Sequence, residues 1–159
     1  MFEVIWLNRG TILLLSMLAV GVASLKLGGG PERWLSGSIL TAMGLDRLYH
    51  FAASGGATVW RFTDYSRLDV GHLVLDGSLL IIMVTVALRA NRVYVLWIAG
   101  LQIVTFLSHF GRGSQADIHP LAYAIMTHAP FYLQMVLLVA GLVLHVLRKR
   151  RRGAYRDWR

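Results

Sequence analysis

The chain has 159 residues, 56% of them hydrophobic, and a formal net charge of +8. Soluble domains are usually about 45–50% apolar, whereas here the apolar residues form runs close to the roughly 20 residues that a helix needs to cross a bilayer. The chain contains no cysteine, which excludes disulfides, zinc–thiolate sites, iron–sulfur clusters and thiol catalysis. The composition therefore indicates one membrane-embedded helical bundle.

The positive charge is concentrated at the carboxyl end. Residues 148–159 contain seven basic side chains and one acidic side chain. A basic stretch directly after an apolar helix is typical of a cytoplasmic segment that contacts anionic lipid. We therefore predict an anionic lipid surface as the partner of this tail, and no nucleic-acid binding.

Five apolar runs follow one another along the chain. They lie at residues 5–27 (or 11–27), 34–53, 70–88, 93–110 and 131–147. Residues 60–65 mix aromatic and charged side chains, which is typical of the membrane interface. The sequence thus predicts an all-α polytopic integral membrane protein with five transmembrane helices. Residues 1–147 form a single bundle and residues 148–159 a basic cytoplasmic tail.

The start of the last helix allows two interpretations. Pro130 suits the first turn of a helix, where the missing N–H of proline is harmless. Residues 121–129 then form a separate short interfacial or re-entrant helix before the last span, and we prefer this interpretation. In the alternative, a single helix begins at Leu121 and is kinked at Pro130.

The distribution of basic residues predicts the orientation. With five spans, one side of the membrane receives eleven basic residues, including the whole tail, and the other side receives five. Because basic residues accumulate on the cytoplasmic side, we expect a cytoplasmic carboxyl terminus and a periplasmic amino terminus in a bacterial inner membrane.

Ionisable residues cluster near the two loops that this topology places on the periplasmic side. They are Asp46, His50, His72, Asp76, His109 and His128. Asp46 and His50 are four residues apart, as are His72 and Asp76, so each pair projects from one side of its helix. Asp69 extends the second pair into an i, i+3, i+7 stripe, and Gln102, Thr105 and His109 repeat that spacing. Because ionisable groups are costly in hydrocarbon, the pattern predicts a polar pocket at this face.

Several chemistries fit such a pocket. Imidazole and carboxylate groups bind divalent transition metals, and facing histidines bind haem iron. The same groups serve proton or ion pathways and metal-assisted hydrolysis. Alternatively, the acids form a structural network with histidine and with Arg47 and Arg67. These alternatives remain open at the level of sequence.

If the pocket is a ligand site, we predict that a divalent transition metal or haem is held by four residues. They are His50, His72, Asp76 and His109. Asp46 would then orient His50, and Asp69 and His128 are further candidates near the ligands.

The remaining motifs limit the functional classes without naming a reaction. No glycine-rich phosphate loop and no nucleophile elbow is present, so no catalytic residue is predicted. Residues 79–88 and 136–144 are nearly all aliphatic, which disfavours an ion path across the membrane. We expect a small integral subunit or accessory protein of a larger inner-membrane assembly, with the bilayer and other membrane subunits as partners. The alternative is a membrane metal- or haem-binding protein, including an enzyme or an ion transporter.

Overall fold

In the part of the chain that the structure describes, five helices pack side by side. The computed structural model describes residues 2–53, 69–114, 119–153 and 155–158. The helices are α1 (Phe2–Leu27), α2 (Gly30–Ala53), α3 (Val70–Arg89), α4 (Val93–Ser114) and α5 (Pro120–Arg152). Each helix contacts the next in the chain, and α5 also contacts α1 and α2. Within the described ranges, the one β-type pairing is an isolated bridge between Ala90 and Trp158.

Four of these helices are long and apolar enough to cross a membrane. The qualifying segments are Gly10–Leu27, Val70–Arg89, Val93–Gly111 and Leu121–Arg152. Most of their aliphatic side chains are exposed on the outside of the bundle, which suits a lipid environment. The prediction of an all-helical fold with several candidate membrane spans is therefore confirmed. The fifth span is not confirmed: α2, which contains four charged residues, is not among the qualifying helices.

Helix α4 shows the polarity expected in lipid, with its polar stripe facing inwards. Gln102, Thr105 and His109 are buried in the bundle, while Ile103 and Leu107 are exposed. In water the opposite arrangement is the stable one, because polar groups keep their solvation on the surface. The helix is thus built to present hydrogen-bonding groups to its neighbours.

An aliphatic layer fills the middle of the bundle. Its fully buried members include Leu35 on α2, Met83 on α3, Ile98 on α4 and Leu138 on α5. This layer separates two groups of polar side chains, one at each end of the bundle. The helix packing therefore determines which polar residues can meet.

The preferred interpretation of a separate helix at residues 121–129 is wrong. Helix α5 is continuous over Pro120–Arg152 and includes Pro130. The helix begins at Pro120. His119 is its N-cap, and the Nδ1 atom of His119 accepts a hydrogen bond from Leu121 N (3.2 Å). The proline in the first turn of the last helix is therefore Pro120 and not Pro130. Helix α5 continues past Pro130 although one backbone hydrogen bond is absent there, because packing against neighbouring helices stabilises it.

The other predicted boundaries differ less from the structure. Helix α4 continues to Ser114, beyond the predicted end at residue 110. The predicted interfacial segment at residues 60–65 lies outside the described residues.

The carboxyl-terminal residues fold back onto the bundle after α5. The helix extends to Arg152 and ends at Gly153, whose φ of 75° is readily adopted by glycine. Asp157 then accepts a hydrogen bond from Gly30 N at Oδ2 (3.0 Å) and from Asn91 N at its carbonyl (3.1 Å). These contacts bring the end of the chain to the α1–α2 and α3–α4 connections.

Candidate metal centre

The end of α2 and the start of α3 bring three ligating side chains together. Asp46 and His50 are one helical turn apart on α2. His72 lies in the first turn of α3, which is capped by Asp69 through hydrogen bonds from Gly71 N (2.8 Å) and His72 N (3.3 Å) to its Oδ1. The cap fixes where α3 begins and therefore where His72 projects.

Three ligand atoms of these side chains converge on one point. Asp46 Oδ1 lies 2.8 Å from His72 Nε2 and 3.5 Å from His50 Nε2. The two Nε2 atoms are 3.2 Å apart. Among the residues that the structure describes, no donor meets hydrogen-bond geometry at Asp46 Oδ1, although that oxygen is buried. A buried carboxylate oxygen thus faces two imidazole nitrogens without a directed hydrogen bond.

These separations match the ligand shell of a small divalent cation. A metal–ligand distance of about 2.0 Å and a tetrahedral angle place neighbouring ligand atoms about 3.3 Å apart. Two of the observed separations, 3.2 and 3.5 Å, lie close to that value, and the third, 2.8 Å between Asp46 Oδ1 and His72 Nε2, is shorter. Within the described residues, Asp46, His50 and His72 form the one group of three potential ligands that lie this close together. Two imidazoles and a carboxylate suit zinc and other first-row transition metals.

Asp69 supports the use of His72 as a ligand. Its Oδ2 lies 3.3 Å from His72 Nδ1, the ring nitrogen that does not contact Asp46 or His50. A carboxylate behind a ligating histidine fixes its tautomer and raises its basicity. Partial burial of Asp69 opposes ionisation, but when His72 is protonated and metal-free, its charge and the hydrogen bonds from His72 N and Gly71 N outweigh that burial and lower the pKa of Asp69.

The cluster is accessible from outside the bundle. The side chains of His50, Asp46 and His72 are 42%, 36% and 28% exposed. A metal held by three protein ligands at such a surface keeps a coordination position for water or another ligand. A metal bound there would therefore be open to exchange with the surroundings and to a small-molecule ligand.

The same geometry does not fit haem. Two imidazoles on opposite sides of one iron would hold their nitrogens about 4 Å apart, with the porphyrin between them. The His50 and His72 nitrogens are closer than that, and their rings are tilted by 47°. These two histidines suit adjacent positions on a small ion.

Asp76 and His109 belong to a second, more deeply buried network. Asp76 Oδ2 lies 2.9 Å from His109 Nε2, and Asp76 Oδ1 accepts a hydrogen bond from Gln102 (3.0 Å). His109 Nδ1 lies 2.8 Å from the Tyr123 hydroxyl. Gln134 donates in turn to Gln102 (2.9 Å). Both nitrogens of His109 have partners, so this network links α3, α4 and α5 as a closed set of hydrogen bonds.

The structure thus divides the sequence-predicted ligands into two groups. His50 and His72 meet, with Asp46 beside both of them, while Asp76 and His109 pair with each other. His128 is exposed on α5, and its Nδ1 lies 2.9 Å from the Thr127 hydroxyl. The division arises because Asp76 is one turn further into the bundle than His72.

A third polar network lies at the opposite end of the bundle, and sequence reasoning missed it. Glu32 forms an ion pair with Arg92, and both side chains are buried. Arg92 also contacts Asp157 Oδ1 (2.5 Å) and His145 Nδ1 (2.8 Å). Tyr94 donates to Glu32 (2.6 Å). The network joins both short interhelical connections to the end of the chain.

One sequence signal could have revealed this network. Under the predicted topology, Glu32 and Asp157 are the two acids on a side that carries eleven basic residues. An acid in an apolar helix needs a partner to remain charged. Arg92 lies 60 residues from Glu32 in sequence, so spacing along the chain does not identify it as that partner.

The comparisons with known proteins leave the site to be interpreted from its own geometry. No protein-family model, no curated protein and no solved structure matches the chain at a significant level.

Proposed function

We propose that this membrane protein binds a divalent first-row transition metal through Asp46, His50 and His72. The observation that carries the proposal is the convergence of Asp46 Oδ1, His50 Nε2 and His72 Nε2 within 3.5 Å. Asp69 would hold His72 in the tautomer that ligation needs. Asp76 and His109 would stabilise the helix packing beneath the metal rather than bind it.

We further propose that α2 is a fifth span. Its 24 residues extend about 36 Å at 1.5 Å per residue, which exceeds the hydrocarbon core of about 30 Å. Its charged residues lie towards the two ends, and no charged residue occurs between Arg33 and Asp46. The contact of Glu32 with Arg92 also supports α2 beginning at the level of the α3–α4 connection.

The orientation is proposed on the same basis. Five spans place the amino terminus and the metal cluster on one side, and the carboxyl terminus on the other. Because the latter side carries eleven of the basic residues, we place it in the cytoplasm and the cluster at the periplasmic face of an inner membrane.

We also propose a biological role, that of an accessory subunit, and the aliphatic core favours this role over transport. Leu35, Met83, Ile98 and Leu138 fill the bundle between its polar ends. An ion path needs polar groups or water along its length, so the protein is better suited to hold a metal than to pass one across. This supports the role of a metal-carrying accessory subunit in a larger membrane assembly. Copurification of stoichiometric membrane partners tests that role.

Metal analysis of the purified protein tests the binding proposal. We expect about one zinc or other first-row metal per chain by elemental mass spectrometry. His72→Ala and Asp46→Asn should each abolish stoichiometric binding, because removal of either leaves two ligands.

His119→Asn provides the matched control. It removes an exposed imidazole while keeping a side chain that can cap α5, and metal content should be unchanged. Equal metal content in the wild-type protein and in His72→Ala would reject the site.

A further inference from the structure

A groove runs along the outer side of the bundle between α2 and α3. It has a volume of about 420 Å³ and lies between Arg33 at one end and Leu45 towards the other. Small residues on α2 leave this space: a methyl group added at Gly37 would meet no atom within 4 Å. The volume falls within the roughly 300–1,000 Å³ of typical ligand sites.

The walls of the groove offer an apolar surface. The hydroxyl groups of Ser38, Thr41 and Ser78 donate to carbonyls of their own helices at 3.0, 2.9 and 2.8 Å. With their donors used, these side chains present carbon to the groove beside Leu45 and Leu79. The chemistry favours a hydrocarbon chain over a polar ligand.

The length of the groove corresponds to one membrane leaflet. The twelve residue steps from Arg33 to Leu45 extend about 18 Å along the helix axis. Half of a hydrocarbon core measures about 15 Å. An acyl chain can therefore lie along α2 with its headgroup at the level of Arg33.

The Arg33 end of the groove is positively charged. Arg33 is exposed, and no carboxylate of the described residues forms an ion pair with it. It also lines an adjoining polar pocket of about 220 Å³ together with Lys149. Asp157 borders that pocket, but its carboxylate already pairs with Arg92. The exposed Trp34 lies beside Arg33, where aromatic side chains mark the headgroup level.

We propose that an anionic phospholipid occupies this groove, with its acyl chain between α2 and α3 and its phosphate between Arg33 and Lys149. The two cations complement a phosphate, and the groove complements the attached hydrocarbon. This site is distinct from the general attraction of the basic tail to a charged membrane. The inference rests on the proposed membrane crossing of α2 and does not depend on the metal site.

Native mass spectrometry of the full chain tests the proposal. The protein is reconstituted in vesicles with equal amounts of phosphatidylglycerol and phosphatidylcholine and then released into mild detergent. We expect one tightly retained phosphatidylglycerol per chain. Arg33→Gln should weaken retention by about tenfold, because one charge-assisted contact is removed.

Two further variants distinguish a lipid in this groove from lipid held elsewhere on the protein surface. Arg89→Gln removes an exposed cation near the same end of the bundle but outside the groove, and it should leave retention unchanged. Gly37→Leu adds bulk in the groove at a position where a Cβ meets no atom within 4 Å, and it should displace the lipid in a protein whose thermal unfolding is normal.

Three outcomes would overturn the inference. Equal retention of both lipids would remove the role of headgroup charge, and an equal effect of Arg89→Gln would indicate general surface attraction. A lipid-free dimer that Gly37→Leu converts to a monomer would instead assign the groove to a second copy of the chain.

Discussion

Asp69 and Asp76 illustrate how two similar residues on one helix acquire different roles. They lie seven residues apart, Asp69 as the N-cap of α3 and Asp76 about two turns into the helix. Asp69 combines capping of α3 with a contact to the imidazole of His72. Asp76 lies about two helical turns further into the bundle and accepts hydrogen bonds from Gln102 and His109. Depth along the helix therefore separates support of the metal cluster from support of the packing.

Substitution of Asp69 should weaken metal binding without weakening the fold. In Asp69→Asn the side-chain oxygen can still cap α3, but the negative charge behind His72 is lost. We expect metal affinity to fall by about 10–100-fold, the usual effect of removing a carboxylate that orients a ligating histidine. Competition with a chelator measures the affinity, and thermal unfolding checks the cap.

Asp69→Ala serves as the comparison. It removes the cap as well and should lower the free energy of unfolding by about 1 kcal/mol more than the asparagine variant. Unchanged metal affinity in Asp69→Asn would show that Asp69 only caps the helix.

At the scale of the helices, hydrogen bonds between buried side chains hold α3, α4 and α5 in register. Gln102 and His109 both lie on the inward stripe of α4 and contact Asp76 of α3. Tyr123 and Gln134 complete the contacts from α5. In a membrane, apolar surfaces gain little by leaving lipid, so such contacts and close packing determine how helices associate.

His109→Phe should therefore lower stability and leave metal binding intact. Asp76 Oδ2 and the Tyr123 hydroxyl would each lose a partner, with an expected loss of about 1–3 kcal/mol. Thermal unfolding in detergent measures the loss, and elemental analysis of the same sample measures the metal. A normal unfolding temperature together with lost metal would instead place His109 among the ligands.

The ion-pair network at the other end should contribute more. Arg92→Gln leaves the fully buried Glu32 without its cation, which should lower stability by about 3–5 kcal/mol. Arg89→Gln is the matched control, because Arg89 is exposed three residues earlier and should change stability by less than about 0.5 kcal/mol. The double variant Glu32→Gln/Arg92→Gln should lose less than the sum of its single variants. A strictly additive result would show that the pair is not coupled.

For the molecule as a whole, the two polar ends and the aliphatic layer between them define how it sits in a membrane. The cluster of Asp46, His50 and His72 occupies one end, and Glu32, Arg92 and the end of the chain occupy the other. If α2 crosses the membrane, these ends face opposite compartments. The proposed metal site would then face one compartment, and the proposed lipid phosphate would lie at the opposite face of the membrane.

Labelling of single introduced cysteines tests this arrangement, and the absence of natural cysteine makes every signal specific. With five spans, Ala53→Cys and Leu121→Cys should react with a membrane-impermeant maleimide added outside intact spheroplasts. Leu27→Cys and Arg151→Cys should react only after permeabilisation. All four positions are exposed in the structure. Labelling of Leu27 and Ala53 from the same side would show that α2 does not cross.

The sequence by itself determined the class of the protein, because hydropathy and helical spacing are local properties. Apolar runs predict α1 to α4 close to their observed bounds but not the start of α5, and four-residue spacing places Asp46 with His50 on one helix face. Tertiary structure decided which faces meet. It paired Asp76 with His109, brought Asp46 to His72, joined Glu32 to Arg92 across 60 residues and continued α5 through Pro130. Helix rotation and depth depend on packing of residues such as Leu35 against neighbouring helices, and one-dimensional spacing does not contain that information.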